Sequence, residues 1–182
     1  MKMLTAKYIT AISSALVIAG TFTACGGGGG GGGSDFIGPA EVELQASPST
    51  IDIGDNVRVT AVVTQVNDDG IALKFKYPKE LAYVPDSAYL FIGDTKKNIS
   101  PTVNASDSDD TYLVFYLAQS RFSEDHNGSI VVDLKANETV AKASIGVDAD
   151  VDDPLIDNAT EFAIATPRFE VVDELTITIK GS

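Results

Sequence analysis

A chain of 182 residues, 44% of them hydrophobic, holds enough apolar material for one ordinary buried core. Its formal net charge of −13 repels nucleic acid and anionic lipid headgroups, which argues against direct electrostatic binding to either. A single Cys excludes an internal disulfide, and one Cys with one His is too few ligands for a Zn²⁺ site.

In chain order, residues 1–24 read as an export signal. Lys2 and Lys7 give a short positive start, and Tyr8 to Phe22 then run without a charge around Ile9, Ile12, Leu16, Val17 and Ile18. The run is short and diluted by Ser and Thr, whereas a membrane span needs about 20 mainly apolar residues. It ends in small residues, as a cleavage site does. No twin arginine is present, which favours the general secretory route.

Phe22-Thr23-Ala24-Cys25 closes this segment. It resembles the lipobox of bacterial lipoproteins, in which an aliphatic residue, a small residue and Gly or Ala precede the Cys. The resemblance implies that Cys25 is lipidated and becomes the mature N-terminus, anchored in a membrane. Several acyl chains on one Cys hold far more firmly than a single chain, since each buried methylene contributes about 0.8 kcal/mol. Gly26 follows the Cys, not the Asp that marks inner-membrane retention in Gram-negative lipoproteins, so the resemblance implies the outer membrane. Gly26 to Gly33 have no side chains to bury and the most backbone entropy to lose. Residues 25–40 therefore read as a lipidated Cys and a flexible tether. An eight-glycine run spans about 15–17 Å on average.

Residues 41–182 read as one all-β domain. Short apolar runs of period two are broken by Gly, Pro, Asn and Asp. Over 57–66, Val57, Val59, Ala61 and Val63 share one face and Arg58, Thr60 and Thr64 the other. Over 71–77, Ile71, Leu73, Phe75 and Tyr77 oppose Lys74 and Lys76. Residues 112–117, YLVFYL, are apolar on both faces, as in a central strand. Ile130, Val132 and Leu134 alternate with Asp133 and Lys135. Leu175, Ile177 and Ile179 alternate with Thr176, Thr178 and Lys180. Asp69-Gly70 and Asn127-Gly128 are tight-turn signals. No stretch after residue 40 sustains a helical period over ten residues. The pattern predicts an antiparallel β-sandwich of immunoglobulin-like type.

The order of these segments resembles a repeat of bacterial and archaeal surface proteins known as domain of unknown function eleven. The resemblance is carried by GDNVRVTAVVTQVNDDG (54–70), YPKELAYVPDSA (77–88), YLVFYLA, NGSIVVDLKA and DDPLIDNATEFAIA (152–165). Tyr77 stands where that family has Leu, and Glu80 where it has Gly. The resemblance implies an immunoglobulin-like sandwich with a role in surface architecture or adhesion and no catalytic residues.

The candidate sites are sparse. VDADVDDPLIDN (147–158) gathers Asp148, Asp150, Asp152, Asp153 and Asp157. Carboxylates spaced this way can converge on Ca²⁺, which takes six to eight oxygens, although a solvated acidic turn needs nothing further. The stretch is no EF-hand, because Asp153 stands where the loop requires Gly. NASDSDDT (104–111) reads as an exposed loop. His126, in SEDHNGS, lies too close in sequence to its Ser and Asp neighbours for a triad and reads as a turn residue. Tyr83, Tyr89, Tyr112 and Tyr116 are candidates for a carbohydrate-stacking face or, more simply, for cross-strand packing. The whole reads as a non-catalytic, lipid-anchored envelope protein. It would present an interaction or structural domain to a protein or glycan partner, with a Ca²⁺- or carbohydrate-binding module as the alternative.

Overall fold

A computed structural model describes residues 39–150 and 169–181. The export segment, Cys25, the glycine run and Asp152, Asp153 and Asp157 lie outside the described residues, as does the side chain of Asp150.

The strands, in chain order, are β1 (Glu41–Ser47), β2 (Thr50–Asp52), β3 (Asn56–Thr64), β4 (Ile71–Pro78), β5 (Leu81–Tyr83) and β6 (Tyr89–Ile92). They continue as β7 (Thr95–Asn98), β8 (Val103–Ser106), β9 (Asp110–Leu117), β10 (Gly128–Ala136), β11 (Val140–Asp150) and β12 (Asp173–Lys180). A single 3₁₀ turn at Gln119–Arg121 is the one helical element among the described residues.

Two sheets result. One runs β1-β3-β10-β6-β7, with β5 also on β10; the other runs β2-β12-β11-β4-β9-β8. All pairings are antiparallel except β2 with β12. The neighbour order β1-β3-β10-β6 matches strands A-B-E-D of an immunoglobulin sandwich, and β12-β11-β4 matches G-F-C. As in such domains, the first strand is split: β1 pairs in one sheet and β2 in the other. The departure is the β8–β9 hairpin, which is inserted before β10 and widens the second sheet beyond β4.

Period-two alternation places the core. Val57, Val59, Ala61 and Val63 of β3 and Ile130, Val132 and Leu134 of β10 face Leu73, Phe75 and Tyr77 of β4, Leu113 and Phe115 of β9, and Ile145 and Val147 of β11, all buried. Phe75 and Phe115 meet edge to face, with centroids 6.0 Å apart.

The two tight-turn signals fall where the chain crosses between sheets, not at hairpin tips. Asp69-Gly70 links β3 to β4, and Asn127-Gly128 leads from the β9 side into β10. Gly70 has φ +93°, and a Cβ there would overlap the Leu117 carbonyl, so this crossover admits only glycine. The hairpin tip of β6–β7 is instead Gly93-Asp94, with Gly93 at φ +54°.

Candidate functional site

Even-numbered residues of β4 and β9 point away from the core, onto the outer face of the second sheet. That face is not bare at its centre. Ala72 and Lys74 of β4, Val114 of β9 and Asp148 of β11 are all buried there. Phe169 to Val172 lie beside it: the Val172 N–H donates to the Val147 carbonyl at 3.0 Å. Gly146 leaves room for Phe169, since a Cβ at that position would sit 3.1 Å from the ring.

The register sets Lys74 directly opposite Asp148. Lys74 Nζ is 2.9 Å from Asp148 Oδ2, with the two side chains 0% and 4% exposed. The backbone N–H of Glu170 donates to the same Oδ2 at 2.9 Å. A buried charge is tolerated only when paired in this way. Further along the face, Lys76 contacts Asp110 at 2.9 Å, and the hydrogen bond to that carboxylate raises the Lys76 ammonium above its ordinary value. A hollow of about 190 Å³ opens between Lys76, Asp110, Ser144, Phe169 and Glu174.

Lys74 lies on the face opposite Phe75, as the alternation predicts, and that face is covered. The signal was present in YLVFYL: a strand apolar on both faces implies that its neighbour is covered on both faces too, and Lys74 pairs with Val114 in register.

Of the five candidate Ca²⁺ ligands, Asp148 is described in full and faces an ammonium group, which supplies the positive charge a metal would bring. A cation at Asp148 would have to share its carboxylate with Lys74 and the Glu170 N–H. Asp150 ends β11 opposite Ala72. Among the described residues, no three His, Cys, Asp or Glu side chains gather as a metal site.

The four tyrosines do not share a face. Tyr112 and Tyr116 lie on the outer side of the second sheet. Tyr83 packs against the core from β5, and Tyr89 projects outward from β6 with Lys96 Nζ over its ring, 3.3 Å from the centroid. Tyr112 donates its hydroxyl to Asp107 at 3.2 Å, and burial raises its ionisation above the ordinary range. Within residues 104–111, Asn104 to Ser106 belong to β8, and only the tip is loop. Asp107 organises that tip, accepting the N–H groups of Asp110 at 2.8 Å and Asp109 at 2.9 Å. These bonds hold its carboxyl below the usual range.

His126 is a turn residue with φ +59°. Its N–H donates to the Ser123 carbonyl at 2.9 Å, and Ser123 Oγ accepts the Asn127 N–H at 3.0 Å. An open hollow of about 390 Å³ beside this turn is lined by Val62, Thr64, Phe91, Ser123, Asp125 and Asn127. The Ser123 and Asn127 groups just named serve the turn itself.

No family model and no curated protein sequence matches the chain. Several solved structures resemble it. The N-terminal domain of the Streptococcus gordonii adhesin Sgo0707 aligns at 10% identity and a TM-score of 0.47, over 77% of this chain and 32% of that one. The T6 backbone pilin of serotype M6 Streptococcus pyogenes aligns at 9% identity and a TM-score of 0.45, over 77% of this chain and 36% of that one. The RrgB pilus protein of Streptococcus pneumoniae aligns at 9% identity and a TM-score of 0.41, over 61% of this chain and 22% of that one. The chain thus spans about a third or less of the length of each, and likenesses of this degree say nothing of activity.

Proposed function

We propose that the protein is a non-catalytic, lipid-anchored component of a bacterial cell envelope, held at the outer membrane through Cys25. It carries one immunoglobulin-like domain on a glycine tether. The observation that carries this reading is the sequence Phe22-Thr23-Ala24-Cys25 after an uncharged apolar run, followed at once by Gly26 to Gly33. The all-β sandwich that begins at Glu41 is the cargo such a tether would display. The domain serves as an interaction or structural module toward a protein or glycan partner. Its described hydrogen bonds and ion pairs knit strands and turns together.

Fractionation of cells expressing the full chain, with metabolic labelling by radioactive palmitate, tests the anchor. The expected result is label in the wild type, and loss of both label and membrane association in Cys25→Ser. An unlabelled wild type, or a serine variant that stays with the membrane, would refute it.

A further inference from the structure

We propose that Lys74 and Asp148 condense to a side-chain amide, a covalent link between β4 and β11 made by the folded domain without another enzyme. The two residues stand opposite each other in register, Nζ is 2.9 Å from Oδ2, and both side chains are shut away from water. Adjacent strands fix the reacting groups, so no encounter is needed. Groups held this way react as though each were present at about 10⁵ M or more. Burial works in the same direction. The ion pair carries a desolvation cost that a neutral amide does not, and exclusion of water removes the reactant for hydrolysis.

The step balances without a co-reactant. One proton moves from the Nζ ammonium to the Oδ2 it already contacts, giving an amine and a carboxylic acid. The Nζ lone pair adds to Cγ. The backbone N–H of Glu170, 2.9 Å from Oδ2, holds that oxygen in place beside Nζ. Nζ then gives up a second proton, and one carboxyl oxygen leaves with both protons as water. A C–N bond replaces a C–O bond, and nothing is oxidised or reduced. This link is independent of lipidation at Cys25.

Peptide mapping of the purified, unfolded full-length wild type by trypsin and mass spectrometry is the test. A linked Lys74 is no longer a cleavage site, so residues 59–76 and 143–168 should elute as one species. Its mass should fall about 18 Da (one water) below the sum of the two peptides, with fragmentation placing the bond at Lys74 and Asp148. Recovery of 59–74 and 143–168 as separate peptides at full mass would overturn the proposal. So would persistence of the 18 Da deficit in Asp148→Ala, since the deficit would then lie elsewhere.

Discussion

The carboxylate of Asp173, at the head of β12, accepts the backbone N–H of Leu44 on β1 at 2.5 Å and so joins the two sheets along one side of the sandwich. Leu44 lies in an edge strand whose other side pairs with β3, so this donor faces outward from its own sheet. The side chain supplies the partner that a further strand would otherwise give. A hydrogen bond to a charged acceptor contributes about 1.5–3 kcal/mol. Asp173→Ala should lower stability by about that amount in urea denaturation, whereas Asp173→Asn, which keeps an acceptor, should lose less.

Tyr77 tests the opposite case. Its ring fills the core from β4, but its buried hydroxyl reaches no well-aligned hydrogen-bond partner among the described residues, only the neighbourhood of the Tyr83 backbone. Tyr77→Phe should therefore be neutral, or stabilising by up to about 1 kcal/mol. Burial also raises the ionisation of this phenol well above its ordinary value. The unfolded chain then gives up the proton first, so native stability should fall as pH rises above about 10. That decline should be shallower in Tyr77→Phe when thermal midpoints are compared between neutral and strongly alkaline buffer.

Two glycines with positive φ separate strain from collision. At Gly93 a Cβ meets nothing within 4 Å, so Gly93→Ala should cost only the backbone term, about 1 kcal/mol. At Gly70 the same substitution adds overlap with the Leu117 carbonyl at the crossover between sheets. Gly70→Ala should cost more than about 2 kcal/mol. Equal denaturation midpoints for the two variants would contradict this account.

Asp107 supplies an acid-side observable. Backbone N–H bonds from Asp110 and Asp109 lower its ionisation below the ordinary range. With the folded value depressed, its contribution is present above about pH 4 and disappears as pH falls through the folded value. Side-chain carboxyl chemical shifts should show Asp107 titrating below the ordinary aspartate range.

Much of the sandwich was legible in the chain because alternation is strict where one face of a strand meets the core. Val57 through Val63, Ile130 through Leu134 and Ile177 with Ile179 lie as their period requires. The short edge strands were harder to read. Thr95–Asn98 is fully exposed, and Thr50–Asp52 has one buried residue, so neither has a repeating pattern to reveal it. The turn chemistry identified Gly70 but not its setting, because a Gly at positive φ serves a crossover as well as a hairpin. The surroundings of Lys74 were hidden for a deeper reason. Local pattern says which way a side chain points, and only the register and the residues from Phe169 onward show what it meets.

The split first strand has a mechanical consequence. β2 runs parallel to β12, with Thr50, Ile51 and Asp52 beside Thr178, Ile179 and Lys180. Tension applied between the N-terminal side of β2 and the C-terminal end of β12 pulls these strands past each other in shear. Their backbone bonds then bear the load together instead of opening one at a time from an end. A three-residue strand, too brief to be noticed in the sequence, thus lies in the path of a load carried between the two ends of the domain, next after β1.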